Sequence, residues 1–251
     1  WIKELKHELT EDGTGILRTK AAGTNPNPTE GGFPFILSSE ISLMYSDLGK
    51  GRRVHNVIVA PSFEVVEQIT EALKKRGRVD YDGRPIFKIT CPEFVEMMHS
   101  ISKEIEIIPA HAWTPYFGIF GSMSGFDSLK DAFQDKVKEI HAIETGLSSD
   151  PPMNWRLKEL DNINLVSFSD SHSFWPWRLG REATVFEFTK IKESSDLSNL
   201  TYSNIISAIR TGDGLWGTVE VDPNYGKYHF DGHRDCGISY HPFETKKNNG
   251  F

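Results

Sequence analysis

Apolar positions along the chain recur in two rhythms. Short unbroken or alternating runs predict strands over 35–37 (ending at Glu40), 54–60, 105–109, 140–144, 163–168 and 184–188. Between them the spacing turns helical. Val65, Val66, Ile69 and Leu73 share one face of a helix predicted over 63–75, with Ser62 as its N-cap. Further helices are predicted over 92–102, 127–137 and 202–210, and one starts at Asp150-Pro151-Pro152. Ile2, Leu5 and Leu9 also follow helical spacing, without a capping residue before them. Strand-helix alternation of this kind predicts an α/β fold on a parallel sheet, open or closed into a barrel. The stretch from Gly23 to Gly32 is expected to be an exposed loop, and Gly49-Lys50-Gly51 a turn.

Composition narrows this frame. At 251 residues, 38% hydrophobic and 25% charged, the chain can bury one large core, and one main domain is expected. No run approaches the roughly 18 apolar residues of a membrane span, and no charged start precedes an apolar stretch as in a secretory signal. Cys91 and Cys236 are too far apart in sequence to outline a disulfide framework, which fits a reducing, cytoplasmic location. Both ends read as cut, because the chain opens on Trp1 and closes on a polar connector. A formal charge of -7 argues against a surface that coats nucleic acid generically. It leaves room for a nuclease, since carboxylates that hold divalent cations are neutralised by them.

The chemistry gathers at strand ends. Asp170 and His172 stand two apart after the 163–168 run, so an extended backbone would point both the same way. Glu40, His55, His111 and Glu144 also fall beside predicted strands, where the loops of parallel α/β folds converge. His, Asp and Glu are ligands for zinc, manganese or iron, and two ions about 3.5–4 Å apart would suit phosphoester displacement. Taken singly, each histidine could instead be a hydrogen-bonded loop residue. Glu144 could be a ligand or the ion-pair partner of Arg156 or Arg181. His7 and His99 are expected to be solvated on helices, and His141 to serve packing.

Three segments carry a family resemblance: residues 108–118 around His111, residues 144–156 around Glu144, and Ser167-Phe168-Ser169-Asp170-Ser171-His172. Together, in this order, they resemble the endonuclease Q family of the polymerase and histidinol phosphatase (PHP) superfamily of metal-dependent phosphoesterases. The resemblance spans residues 1 to 240 or so. It implies a distorted (β/α)7 PHP-type barrel over 1–222, incomplete at its N-terminus, with a multinuclear metal cluster at the carboxyl end. It also implies a hydrolase of DNA repair, cutting 5′ to deaminated bases (uracil, hypoxanthine, xanthine) or abasic sites.

Carried over position by position, Glu40 and His55 match the superfamily's second motif, His111 the third, and Asp170 with His172 the fourth. Glu40 would bridge metals and the histidines would be terminal ligands. Asp170 would be a ligand that also orients the attacking water, so that Glu40, Asp170 and His172 form the catalytic set. Two or three divalent ions (Zn, Mn or Mg) are implied for the complete protein. The first motif, an H-x-H, belongs upstream of Trp1 and is not in this chain, so weak or no activity is expected of the chain alone. Residues 223–251 are expected to be a linker and the start of a zinc-ribbon-like segment, in which His233 and Cys236 form half a tetrahedral site. Arg178 and Arg181, with Arg156, could clamp phosphates, while Trp113, Tyr116, Trp175 and Trp177 offer stacking faces for an unpaired base. Two other classes stay open: a phosphoesterase acting on a small phosphate ester, and a non-catalytic DNA-binding remnant.

Overall fold

The computed structural model describes residues 2–20, 33–80, 85–173, 175–188, 197, 199–225, 229–233 and 236–249. Trp1 and the loop expected over 23–32 lie outside them. The chain begins with helix α1 (Ile2–Glu8) and the strands β1 (Leu9–Glu11), β2 (Leu17–Thr19) and β3 (Pro34–Phe35), which form a small antiparallel sheet. A long hairpin follows. Strands β4 (Leu37–Asp47) and β5 (Lys50–Ala60) pair antiparallel over their whole length, and Leu48 and Gly49 turn the corner with φ of 48° and 77°. Glu40 therefore lies inside a strand and not at the end of one.

Helix α2 (Phe63–Lys74) starts where the Ser62 side chain accepts the Val65 N–H, and it buries Phe63, Ile69 and Leu73. After the short strand β6 (Ile86–Phe87), Thr90 and Glu93 close a reciprocal capping box on helix α3 (Cys91–Ile101). Strand β7 (Glu106–Pro109) completes a four-stranded sheet in the order β6-β4-β5-β7. Strand β5 runs against both of its neighbours, while β4 and β6 are parallel. The all-parallel sheet expected from strand-helix alternation is thus a mixed one, because no helix separates β4 from β5.

Helix α4 (Leu129–Phe133) gives way at Gln134, where φ is 53°, to a 3-10 segment over Gln134–Glu139. Strand β8 (Ala142–Glu144), the single-turn helix α5 (Pro151–Asn154) and strand β9 (Asn164–Val166) come next, with β8 and β9 parallel. Strand β10 (Ala183–Phe186), helix α6 (Tyr202–Thr211) and strand β11 (Leu215–Val219) follow, β10 pairing antiparallel with β11. A last hairpin, β12 (Asp231–His233) and β13 (Ile238–Tyr240), leads to helix α7 (Pro242–Lys247). This is an α/β architecture, and the strands among the described residues lie in separate sheets that do not close into a barrel. No helix among the described residues is long and apolar enough to cross a membrane.

Alternation along the hairpin divides its two faces. Leu37, Ile41, Leu43, Val54, Ile58 and Ala60 belong to the core built with α2 and α3. The opposite face holds Val57 and Val59, which join Ile108, Ala142, Val166 and the buried side of α6. Glu40, Ser42 and His55 lie on this second face, toward the turn. At the far end, the Tyr202 hydroxyl of α6 sits 2.9 Å from the Val59 carbonyl oxygen and 2.7 Å from that of Glu104. Tyr202→Phe removes the single hydroxyl proton these carbonyls share, leaving the buried Val59 carbonyl without it, and a loss of about 1–2 kcal/mol is expected from denaturant unfolding.

Candidate metal centre

Glu40 and His55 meet because of strand register. Glu40 pairs with Val57 across the hairpin, so His55, two residues back along β5 on the same face, is its diagonal neighbour. His111 arrives from another direction. It follows Pro109 at the end of β7 by two residues, and the Ala110 N–H donates to the His55 carbonyl oxygen at 3.0 Å, holding the two segments together. Glu40 Oε1 lies 2.7 Å from His55 Nδ1 and 3.5 Å from His111 Nε2, and those two nitrogens are 3.1 Å apart.

A tetrahedral cation with bonds of about 2.0–2.2 Å imposes ligand–ligand edges of about 3.3–3.6 Å. One carboxylate and two imidazoles in this triangle can close on such an ion with sub-ångström shifts, and among the described residues they form one such group of ligand atoms. The surroundings favour it. Thr114 Oγ1 lies 2.8 Å from His111 Nδ1 and 3.0 Å from two carbonyl oxygens, so its single proton goes to a carbonyl and it accepts from Nδ1–H. That tautomer leaves the Nε2 lone pair facing Glu40 and His55. The His55 ring stacks on Phe117, with centroids 4.2 Å apart, which fixes its plane. Ser42 Oγ, directly opposite His55, is buried without a hydrogen-bond partner among the described residues.

Electrostatics tie the centre together. Burial alone would raise the Glu40 carboxyl, but hydrogen bonds from His111 and His55 and their charge hold it well below the usual carboxylate range. Burial would likewise depress the His111 imidazole, yet Glu40, with the charges of Glu144 and Asp170, raises it. Glu144 is 2% exposed, and its Oε2 accepts the His111 backbone N–H at 2.8 Å. Burial pushes its carboxyl up to about 7, reinforced by the charges of Glu40 and Asp170 and opposed by His111. Among the described residues no arginine pairs with Glu144: Arg156 faces Asp231 at 3.5 Å, and Arg181 Nε donates to the Ser169 carbonyl oxygen. It holds the backbone of His111.

Backbone strain marks the same place. His111 has φ of 32° and Asp170 of 41°, a left-handed region that bulky residues adopt only when their surroundings enforce it. Gly146, at φ of 64°, packs so closely that a Cβ there would stand 2.7 Å from His111 Cβ. Strand β9 stops at Val166, two residues short of the expected strand end, because Ser167 exchanges both its backbone bonds with Thr184 Oγ1 instead of a neighbouring strand. Asp170 therefore leaves extended geometry, and the two-residue spacing to His172 no longer puts both side chains on one face. Asp170 lies near enough for its charge to act on His111 and Glu144. The His172 side chain is 66% exposed and its Nδ1 rests 2.9 Å from the Asp170 carbonyl oxygen, outside the triad.

Other sequence candidates are scattered around this centre. Trp113 is half-buried, packs on Phe120 and donates Nε1–H to Asn154 Oδ1 at 2.8 Å, so it is scaffold more than open stacking face. Tyr116 is exposed, as are Trp175 and Trp177, whose rings stack with centroids 5.0 Å apart. Arg178 is exposed, and its carbonyl oxygen accepts the Ser171 hydroxyl. Cys236 is exposed and free, and the side chain of His233 lies outside the described residues. His99 is not solvated as expected: its side chain is 6% exposed, with Nδ1 3.3 Å from Glu139 Oε2. His141 joins a buried ion cluster with Glu106 and Arg210, a partnership no local sequence pattern announces.

Comparison with known proteins places this geometry. No family model matches the chain. Endonuclease Q of Pyrococcus furiosus, a lesion-specific endonuclease, matches 99% of the chain and 55% of its own length, with TM-score 0.70 and 29% identity. A structure of endonuclease Q complexed with a 27-mer duplex substrate, with an abasic lesion at the active site, matches 99% and 55%, with TM-score 0.69 and 28% identity. Among curated relatives, the uncharacterized protein MJ0043 of Methanocaldococcus jannaschii is 31% identical over 55% of the chain and 16% of its own length. The uncharacterized protein YqxK of Bacillus subtilis is 24% identical over 80% of the chain and 48% of its own. The chain thus spans about half of each endonuclease Q and less of the curated relatives.

Two outcomes check the centre. Zn2+ or Mn2+ at about 100 times its dissociation constant is expected to stabilise the chain by about 2.7 kcal/mol, read as a rise in melting temperature. Gly146→Ala, which forces a methyl group against His111, is expected to cost about 2 kcal/mol in unfolding and to remove most of that metal-dependent rise.

Proposed function

We propose that this endonuclease Q-like chain carries part of the active site of a metal-dependent DNA endonuclease that cuts 5′ to deaminated bases or abasic sites. The observation that carries the reading is the Glu40, His55 and His111 triangle, in a chain whose 99% match includes an endonuclease Q holding an abasic duplex at its active site. A divalent ion held there would act as a Lewis acid on the phosphate and lower the pKa of bound water. Zinc, manganese and magnesium are all candidates, two or three ions to a complete site. The residues of this chain do the rest. Glu40 and the two imidazoles set the position of the ion, Thr114 fixes the His111 tautomer, and Glu144 holds the His111 backbone. Asp170 brings a second carboxylate to the same rim, with His172 beside it.

On this reading residues 1–222 are the larger part of a distorted (β/α)7 PHP-type barrel, and 223–251 is a linker with half of a zinc site at His233 and Cys236. The exposed Trp175, Trp177 and Tyr116 supply stacking faces, and Arg178 and Arg181 sit within reach of Asp170 in sequence to meet phosphates. A lesion lowers the cost of exposing a base, which suits an enzyme that selects damaged sites. A DNA-repair role in the cytoplasm fits a chain without a membrane-crossing helix among its described residues.

The test is nicking of a duplex carrying one abasic site or one deoxyuridine, with Mn2+, by the protein that contains this chain. Glu40→Gln is expected to lower the rate by more than the roughly 10- to 100-fold that changes around a metal centre's outer ligands cost. Preference for a small phosphate ester over damaged DNA overturns the substrate assignment, and full activity of Glu40→Gln overturns the site.

A further inference from the structure

A second acidic cluster lies at the ends of β8 and β9. Glu182 precedes β10 and Glu220 follows β11, one step beyond the Ala183–Val219 pair that ends that antiparallel ladder. Glu182 is 1% exposed. Its Oε1 accepts the Val221 N–H at 3.3 Å and its Oε2 lies 3.3 Å from Ser167 Oγ. Glu220 Oε2 lies 3.4 Å from the same hydroxyl, and Thr145 Oγ1 is 3.1 and 3.2 Å from the two Glu220 oxygens. Ser167 and Thr145 are the first residues past β9 and β8, so the carboxyl pair joins the β10–β11 hairpin to the ends of those strands.

The hydroxyl of Ser167 decides the protonation of the pair. A serine hydroxyl donates one hydrogen bond and accepts through its lone pairs. Set between two carboxylate oxygens at nearly equal distance, it can donate to one only. If both carboxyls were ionised, the other would face a lone pair, at low dielectric, beside a like charge. One proton on either carboxyl resolves this: the acid O–H donates to Ser167 Oγ, which donates onward to the remaining carboxylate. The charged neighbours on the adjoining elements do not supply a substitute. Arg181 lowers Glu182 only as the last of several influences, Thr218 offers Glu220 a hydroxyl, and Asp150, the N-cap of α5, adds negative charge. Burial, with the charge of Glu220, pushes the Glu182 carboxyl up to about 7, and Glu220 is raised by burial as well.

We propose that Glu182 and Glu220 share one proton through Ser167 as a clasp that positions the Asp170 loop. The loop is strapped to the Glu182 segment at several points. Ser169 Oγ donates to the Glu182 carbonyl oxygen at 2.9 Å and accepts the Gly180 N–H at 2.7 Å, and Arg181 Nε donates to the Ser169 carbonyl oxygen at 3.1 Å. Loss of the shared proton sets two carboxylates against one hydroxyl, drives the hairpin from the strand ends, and moves the loop with it. Glu182 and Glu220 are positioning residues on this account. Their role in activity rests on Asp170 belonging to the metal centre, whereas their effect on stability does not.

The test uses Glu182→Gln and Glu220→Gln, neutral isosteres of the protonated form. Unfolded, both carboxyls ionise near 4.5; folded, Glu182 holds its proton to about 7. The wild-type chain therefore loses stability as pH rises between those values and levels off above them. Each Gln variant is expected to gain about 5 °C in melting temperature relative to wild type across that window, with no further divergence at higher pH. Glu144 contributes a protonated-carboxyl infrared band at about pH 6 in all three proteins, so the second expected result is a weaker band in each variant than in wild type. Parallel melting curves for all three proteins, or a carboxyl band as strong in both variants as in wild type, overturn the clasp. If the curves diverge but the pH dependence of damaged-DNA nicking is the same in wild type and Glu182→Gln, the clasp stands and its positioning of Asp170 is overturned.

Discussion

The register of the β4–β5 hairpin is the constraint on which the rest depends. Because side chains alternate, the pairing that sends Leu37, Ile41, Leu43, Val54 and Ile58 into the core sends Glu40 and His55 to the other face as diagonal neighbours. A slip of one residue would bury both polar groups among Phe63, Phe94 and Met98 and expose the core residues instead. Hydrophobic burial of one face thus pays for the placement of chemistry on the other. The same sheet sets His111, since β7 pairs with β5 and hands its chain on through the Ala110–His55 hydrogen bond.

Strain concentrates at the turns that follow β7, β8 and β9. His111 and Asp170 hold positive φ, and Gly146 is present because only a residue without Cβ fits against His111. Glu144 connects the two effects. It is buried, it accepts the His111 N–H, and it feels the charges of both Glu40 and Asp170. A divalent cation among these carboxylates would lower the electrostatic cost of keeping them together, so folding strain and metal affinity are coupled.

Much of this was legible in the sequence, and the exceptions have physical causes. Helices α2, α3 and α6 follow from apolar spacing and capping residues, because those signals are local. Glu40, His55 and His111 could be singled out as residues beside strands, but their meeting depends on a hairpin that alternation of strands and helices hid. The serines of β4 interrupt its apolar run, so an 11-residue strand reads as a three-residue one. The expectation that Asp170 and His172 point the same way needs extended chain, and that condition lapses where Ser167 gives its backbone bonds to Thr184 and Asp170 turns to positive φ. His99 departs from its expected exposure because helical position alone does not reveal the 3-10 segment whose Glu139 lies against it. Glu182 and Glu220 gave no signal: each looks like an ordinary surface glutamate until β10 and β11 bring them to one serine.

Glu106, the Glu182–Glu220 pair and Glu40 are compensated in three different ways, and the differences bear on which of them suits a metal. Glu106 is met at 2.6 Å by the guanidinium of Arg210 and at 2.9 Å by His141 Nδ1, so one of its oxygens faces a permanent cation. Glu182 and Glu220 lie against hydroxyls and one backbone N–H, oxygen-rich surroundings that settle with a proton. Only Glu40 is compensated by two imidazoles, groups that donate when protonated and ligate when neutral. Exchange of their protons for a divalent cation leaves every hydrogen bond outside the triangle intact, including Thr114 on His111 and the backbone bonds of His55. An arginine or a hydroxyl offers no such exchange, so on the proposed reading the ion goes to Glu40 and not to Glu106, Glu182 or Glu220.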